Sequence, residues 1–147
     1  MWLDYEPGSG VRRPIKVSNE FFECFQKFSK DTGLSHQSIF DRAIVNLWRI
    51  WNNDSEAIEV ANHECYRLVE TIMLMNPMPG KVSNHFIHIG FRGAVTFEFF
   101  NSLEKLRFFH DTHEGIRRIL SWYLKDRGYL TPHSILVNVN VLKEKRH

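Results

Sequence analysis

The sequence has few of the residues and patterns that mark disulfide-rich, metal-binding or membrane-spanning proteins. Only two cysteines occur among its 147 residues, and because they lie far apart they do not form a disulfide framework. The C-x-x-C and H-E-x-x-H spacings of zinc sites are absent. There is also no signal peptide and no apolar run long enough to cross a bilayer. We therefore expect a protein of the reducing cytoplasm with no membrane partner.

Catalytic and cofactor motifs are missing as well. The chain has no paired-carboxylate pattern, no glycine-rich phosphate loop and no G-x-S-x-G turn. Its eight histidines include His85 and His88, but residues three apart in a strand point to opposite faces, so this spacing does not favour a metal site. We expect no enzyme activity, no catalytic residues, no cofactor and no bound metal.

The net charge is small and its distribution is uneven. Lysine and arginine number 19 against 17 aspartates and glutamates, so any basic surface must come from local clustering. Apolar residues make up 43% of the chain, which is typical of a globular fold with a substantial core. The basic clusters are Arg12, Arg13 and Lys16, then Arg117 and Arg118, and finally Lys143, Lys145 and Arg146.

Residues 11–52 carry the clearest structural pattern, which begins with a strand and a helix. Ile15 and Val17 alternate with Lys16, as in a strand with one buried face. Ser18 then predicts a helix N-terminus, because its hydroxyl can accept from the free amides of the first turn. The apolar face of this first helix is formed by Phe21, Phe22, Phe25 and Phe28.

A second helix follows within the same segment. Gly33 supplies a C-terminal stop for the first helix, and Ser35 is a suitable N-cap for the next. The apolar face of the second helix is formed by Ile39, Phe40, Ala43, Ile44, Leu47, Trp48 and Trp51. Both helices need a partner that covers their apolar faces.

A second copy of this pattern is predicted at residues 84–128. Shifted by 78 residues, V-S-N-E-F-F-E-C-F-Q-K-F of the first copy aligns with V-T-F-E-F-F-N-S-L-E-K-L, so Thr96 takes the place of the first cap. Thr112 is the predicted cap of the following helix. The copy differs in its shorter inter-helix turn and in Gly90 and Gly93, which weaken both the strand and any base-reading role there.

Residues 53–80 join the two copies, and residues 129–147 follow them. Asp54 or Ser55 would cap a connecting helix of about twenty residues, and the prolines and glycine of N-P-M-P-G would end it. At the far end, I-L-V-N-V-N-V-L predicts a C-terminal strand before a basic tail. The apolar stripe of the connecting helix is formed by Ile58, Ala61, Cys65, Leu68, Val69, Ile72 and Met73.

The order of a short basic strand, two amphipathic helices and a capped S-x-x-S-I turn resembles the ribbon-helix-helix regulators of the Arc and MetJ class. The resemblance implies a mainly helical fold with a short antiparallel ribbon, to which each copy gives one strand. Two tandem copies would then form a fused pseudo-dimer; in the competing arrangement, each copy pairs with its twin on another chain. As a tandem regulator of this size, the chain resembles regulators of archaeal viruses, and such a protein would act in the host cytoplasm.

The resemblance also implies a mode of DNA binding in which the ribbon enters the major groove. A two-stranded ribbon fits that groove and turns alternate side chains toward base edges. If Ile15 and Val17 face the core, the outward residues of the first strand include Pro14, which offers no hydrogen-bond donor. The predicted base-reading residues are Arg12, Lys16, Arg92 and His88.

Phosphate contacts are expected at the N-termini of the second helix of each copy. Backbone amides at such termini hold phosphates and set the register of the protein on the duplex. Glu114 would be poorly placed beside a phosphate, so the second copy gives the weaker clamp. The predicted phosphate-binding residues are Arg13, Ser35, His36, Gln37, Thr112 and His113.

Two functions remain open from the sequence. The first is a sequence-specific transcription regulator that binds double-stranded DNA and assembles into homo-oligomers. The second is a protein-interaction module, antitoxin-like or a virion component, that keeps the ribbon-helix-helix core. A third interpretation is purely structural, because charges on a strand also keep an exposed edge from aggregating. The salt dependence of DNA binding distinguishes the regulator from the interaction module.

Overall fold

The fold consists mainly of helices and contains one short antiparallel sheet, as predicted. The computed structural model describes residues 12–52 and 58–130, with side chains described in 12–52 and 65–130. The predicted C-terminal strand lies outside these residues. A strand followed by two helices occurs twice in this part of the chain, with one helix between the two occurrences. The elements are β1 (Arg13–Ser18), α1 (Asn19–Thr32), α2 (His36–Trp51), α3 (Ile58–Leu74), β2 (Val82–Ile89), α4 (Ala94–Lys105) and α5 (Thr112–Asp126).

The two strands form a ribbon within a single chain. β1 pairs with β2 in antiparallel register, with Ile15 opposite Ile87 and Lys16 opposite Phe86. On the inward face Arg13, Ser83 and His85 are partly buried, and four apolar side chains are fully buried. They are Ile15, Val17, Ile87 and Ile89.

The first copy follows its sequence signals closely. The Ser18 hydroxyl accepts from the amide of Phe21 at 3.1 Å, so α1 begins where β1 ends. Gly33 adopts the left-handed conformation (φ 73°) that ends the helix, and its amide bonds to the Ser29 carbonyl. Ser35 caps α2 by accepting from the amide of Ser38 at 3.1 Å.

The second copy departs from the predicted helix starts. α4 begins at Ala94 after Gly93, which has no capping side chain, and Thr96 lies inside the first turn. The Thr96 hydroxyl donates back to the Gly93 carbonyl at 3.1 Å instead of accepting from an amide. Asp111, and not Thr112, caps α5 by accepting from the amide of Glu114 at 2.9 Å. The caps therefore repeat after 75 and 76 residues, whereas the apolar pattern repeats after 78.

The connecting helix α3 packs against α2 and α5 and contributes to the core. Its buried side chains within residues 65–74 are Cys65, Val69, Ile72 and Met73. Leu68, which the sequence pattern also assigned to the apolar stripe, is 49% exposed, because the buried face of α3 lies on the side of the helix that carries Val69. After Leu74 the chain leaves the helix, and the Asn76 side chain bonds to the Ile72 carbonyl at 2.7 Å.

A single hydrophobic core joins the elements of both copies. α2 and α5 contact each other, and both contact α3. Aromatic rings fill the space around α4 and α5, with the Phe91 and Phe100 rings 4.9 Å apart and the Phe100 and Phe109 rings 4.8 Å apart. Gly115 of α5 lies against this cluster, where an added Cβ would come within 2.7 Å of Phe109. The apolar faces of each copy are covered in part by the other copy, so a single core supports the ribbon.

Candidate nucleic-acid interface

The outer ribbon face is the side of β1 and β2 that points away from the core. In the strands it consists of Pro14 and Lys16 of β1 and of Val82, Asn84, Phe86 and His88 of β2, and Arg12 lies exposed just before β1. Pro14 lies opposite His88, and Lys16 lies opposite Phe86. Neither 12–18 nor 82–93 contains an aspartate or a glutamate. The face therefore combines positive charge and hydrogen-bonding side chains with no carboxylate of its own.

Phe86 and Lys16 form the middle of this face. The Phe86 side chain is 42% exposed, which is unusual for a large aromatic residue in a strand with a buried face. The Lys16 ammonium lies 5.9 Å from the centre of the Phe86 ring, within the range of a cation–π contact. The pair thus presents an ammonium group and an aromatic ring side by side to solvent.

Asn84 and Phe86 did not emerge as candidate site residues from the sequence. The 78-residue repeat placed the second reading strand too far along the chain, toward Arg92. The alternation of Ile87 and Ile89 with His88 was the sequence signal that could have placed Phe86 and Asn84 on the outward face with His88.

Arg92, a predicted base reader, lies outside the ribbon. β2 ends at Ile89, so Arg92 belongs to the connection to α4, where its Nε lies 3.2 Å from a carboxylate oxygen of Asp41. Burial raises the pKa of the Asp41 carboxyl, while a hydrogen bond from Gln37 and the charges of Arg92 and Arg12 lower it. Arg92 and Arg12 are therefore both near Asp41, at the end of the ribbon.

Gln37, a predicted phosphate ligand, instead fixes the end of β2. Its side chain is 2% exposed. The Nε2 donates to the Gly90 carbonyl at 2.7 Å and to Asp41 at 2.9 Å, and the Oε1 accepts from the Gly90 amide at 2.7 Å. The amide group has no free donor left for a phosphate, so a structural role replaces the predicted contact.

The other two predicted phosphate ligands of α2 lie at its exposed start. Ser35 is exposed and serves as the N-cap. His36 is half-buried: its ring packs against Phe25 at 4.6 Å, and its Nε2 lies 2.6 Å from the side-chain oxygen of Gln26. Burial lowers the pKa of His36, and the nearby charge of His88 lowers it further. The lowered pKa favours a neutral His36 imidazole. An anion here would therefore be bound by Ser35 and the backbone amides of the helix terminus and not by a charged His36.

The start of α5 is acidic and differs from the start of α2. The Thr112 side chain is fully buried, and Asp111 and Glu114 place two carboxylates in the first turn. A Glu114 carboxylate oxygen accepts from the His110 amide at 2.7 Å. Burial lowers the pKa of the half-buried His113, and the negative charge of Asp111 raises it by a smaller amount. These carboxylates would repel a phosphate, so the predicted contacts of Thr112 and His113 find no support here.

Arg117 of α5 holds the other strand. Its guanidinium donates to the Lys16 carbonyl at 3.1 Å, so each strand of the ribbon is bonded by a side chain from a second helix. Burial lowers the pKa of Arg117, opposed by Asp111 and Glu114. Arg13, the remaining predicted phosphate ligand, lies half-buried opposite Ile89 on the inward face of the ribbon, so its predicted contact finds no support here.

Two other kinds of site were not found among the described residues. They contain no cluster of three or more histidine, cysteine, aspartate or glutamate side chains that could hold a metal ion. No helix in the described ranges is both long and apolar enough to cross a membrane. Comparisons with protein-family models, with curated proteins and with solved structures found no match.

Proposed function

We propose that the chain is a sequence-specific DNA-binding transcription regulator that inserts the β1–β2 ribbon into a major groove. The observation that carries the proposal is the outer ribbon face, which is exposed, basic and free of carboxylates within the ribbon. Strand, helix and helix occur twice around one core, and both ribbon strands come from one chain. These features support a fused pseudo-dimer of two ribbon-helix-helix units.

The size and chemistry of the ribbon fit the major groove. Two strands about 5 Å apart, with side chains on the outer face, can enter a groove about 12 Å wide. Lys16 suits the acceptors of guanine, Asn84 can bond both the donor and the acceptor of adenine, and Phe86 can pack against the thymine methyl group. Pro14 adds shape and no hydrogen bond. The reading residues we propose are Arg12, Lys16, Asn84, Phe86 and His88.

The ribbon is held rigidly enough to read a sequence. Gln37 fixes the residue that follows β2, and Arg117 fixes the middle of β1. Side chains that are placed before binding lose less conformational entropy when they bind. Around the ribbon, we propose that Arg92 and the Ser35 terminus of α2 contact phosphates and set the register.

Selection from a random duplex DNA pool tests this function directly. We expect enrichment of one sequence and an affinity for it that falls steeply with salt, since each neutralised phosphate releases counterions. Binding to shuffled duplexes measures the sequence-independent part. Failure to enrich any sequence, with weak binding that is the same for all duplexes, would contradict the proposal.

A protein-interaction role is the second candidate, and one observation favours it. The end of α3 exposes three large apolar side chains, with Leu68 49%, Leu74 52% and Met75 61% exposed. Such a surface fits a protein partner or a second copy of the chain. Replacing Leu74 and Met75 by serine should lower the mass in solution if this surface holds an oligomer together. An interaction module would show this change while binding DNA weakly and without sequence preference.

A further inference from the structure

A second charged surface lies between α2 and the end of α5, apart from the outer ribbon face. It is an open groove with a volume of about 380 Å³, within the range of sites that hold small ligands. α2 lines it with Arg42, Asn46 and Arg49, and the α5 side contributes Tyr123 and Arg127. Asp41 closes the end that is nearest Arg92. We call this surface the arginine groove.

The α2 residues of the arginine groove share one helix face. Arg42, Asn46 and Arg49 are spaced by four and three residues, and the two arginines are separated by about 10 Å along the helix axis. Both arginines are exposed. Within the part of the chain that the structure describes, neither guanidinium has a carboxylate within 4 Å or any other hydrogen-bond partner. Among the described residues their donors have no acceptor, and we take them to be available to a ligand.

The opposite wall carries a third guanidinium that is held in place. Arg127 lies over the Tyr123 ring at 4.6 Å and pairs with Asp126 at 2.6 Å. Asp41, the carboxylate that lines the groove, already pairs with Arg92 and accepts from Gln37. The lining therefore has two guanidiniums without an ion pair, those of Arg42 and Arg49, and a third, that of Arg127, which is already paired with Asp126.

We propose that the arginine groove binds phosphate groups of a phosphorylated ligand about the size of a nucleotide. Guanidinium forks match phosphate oxygens in bidentate geometry, and arginines on two walls can hold more than one phosphate. Asn46, between the two α2 arginines, adds donors and acceptors for the rest of the ligand. The phosphates come either from a free nucleotide or from the backbone of DNA that extends past the ribbon.

Titration calorimetry of the full chain with ATP, and separately with inorganic pyrophosphate, tests the groove without DNA. The variant Arg42→Gln with Arg49→Gln should bind at least about tenfold more weakly, the loss expected for charged hydrogen bonds. The matched control, Lys30→Gln with Lys105→Gln, removes the same charge from two exposed last-turn lysines and should bind as the wild type does. A third variant, Arg42→Lys with Arg49→Lys, keeps the charge and should recover only part of the affinity.

Amide chemical-shift mapping on the wild-type protein gives a readout that does not depend on any variant folding. ATP should shift the resonances of Asn46 and Tyr123 most strongly. If ATP and pyrophosphate do not bind, a long and a short duplex around the selected DNA sequence are compared. If the variant Arg42→Gln with Arg49→Gln binds the long duplex more weakly than the wild type does, but binds the short duplex equally well, the phosphates are those of DNA.

Two results would overturn the proposal. One is nucleotide binding that shifts resonances elsewhere and is equal in the arginine variant and its lysine control. The other is no nucleotide binding together with unchanged binding to both duplexes in an arginine variant that melts as the wild type does. The nucleotide measurements need no DNA, so if the chain proves not to be a DNA-binding regulator, absence of nucleotide binding overturns the proposal by itself.

Discussion

Replacing Gln37 by leucine should destabilise the protein strongly, although glutamine is usually a surface residue. Leucine has nearly the same size but leaves the Gly90 amide and carbonyl, both buried beside α2, without the partners that lie 2.7 Å away. Each buried backbone group that loses its partner costs about 1 to 3 kcal/mol, so the expected loss for the two groups is about 2 to 6 kcal/mol. The substitution also removes a third hydrogen bond, the 2.9 Å bond that Gln37 donates to Asp41.

Chemical denaturation with hydrogen exchange checks this prediction. A loss of this size is a large part of the total stability of a domain, about 5 to 15 kcal/mol. The Gly90 amide should also exchange faster, since its bond is removed directly. Gln26→Leu is the matched control, because Gln26 is exposed and bonds only at the surface to His36, so its effect should stay within about 0.5 kcal/mol. A Gln37→Leu protein within the same margin of wild type would refute the reasoning.

Three further changes test other parts of the structure. Gly115→Ala places a Cβ 2.7 Å from Phe109 and 2.8 Å from Phe100, so thermal melting should show a loss of about 1 to 3 kcal/mol. Cysteines at the paired positions Lys16 and Phe86 should oxidise to a crosslink within the monomer at low protein concentration, whereas crosslinks only between chains would contradict the register. Burial lowers the pKa of His36 and of His113, so the unfolded chain takes up protons first and stability should fall as the pH drops below about 6.5. His36→Gln with His113→Gln should flatten that decline.

The first copy could be predicted well because its boundaries are set by local bonds. Ser18, Gly33 and Ser35 each act on backbone groups within five residues, and these are distances that a sequence pattern can encode. The predicted mainly helical fold is confirmed for the same reason, and the predicted short antiparallel sheet is also confirmed, although three helices separate its two strands. The spacing of apolar residues also indicated which faces of α1 and α2 are buried.

The second copy was harder to predict, because its helix starts and its apolar pattern are out of step. The V-T-F-E-F-F similarity reports which face is buried, and it carries no information on where the helix begins. Gly93 and Asp111 take the cap positions instead of Thr96 and Thr112. That shift moved the predicted reading strand toward Arg92 and away from Asn84 and Phe86.

The supports of the ribbon could not be read from the sequence at all. Gln37 and Gly90 are 53 residues apart, and Arg117 and Lys16 are 101 apart. Both side chains are of types that normally face solvent, so a sequence pattern assigns them to a surface role. Only the packing of α2 and α5 around one core brings them to the strands.

The most direct test of the proposed DNA-reading ribbon is the affinity of the variant Arg12→Ala with Lys16→Ala for the selected DNA sequence, measured at several salt concentrations. If the outer ribbon face reads DNA, preference for the selected sequence over shuffled duplexes should fall by about 1 to 3 kcal/mol for each base-reading side chain that is removed, while removal of a phosphate-binding side chain weakens all duplexes alike and lowers the salt slope by about one. A variant that melts as the wild type does and keeps the wild-type affinity, preference and salt slope would show that this ribbon is not what reads the DNA.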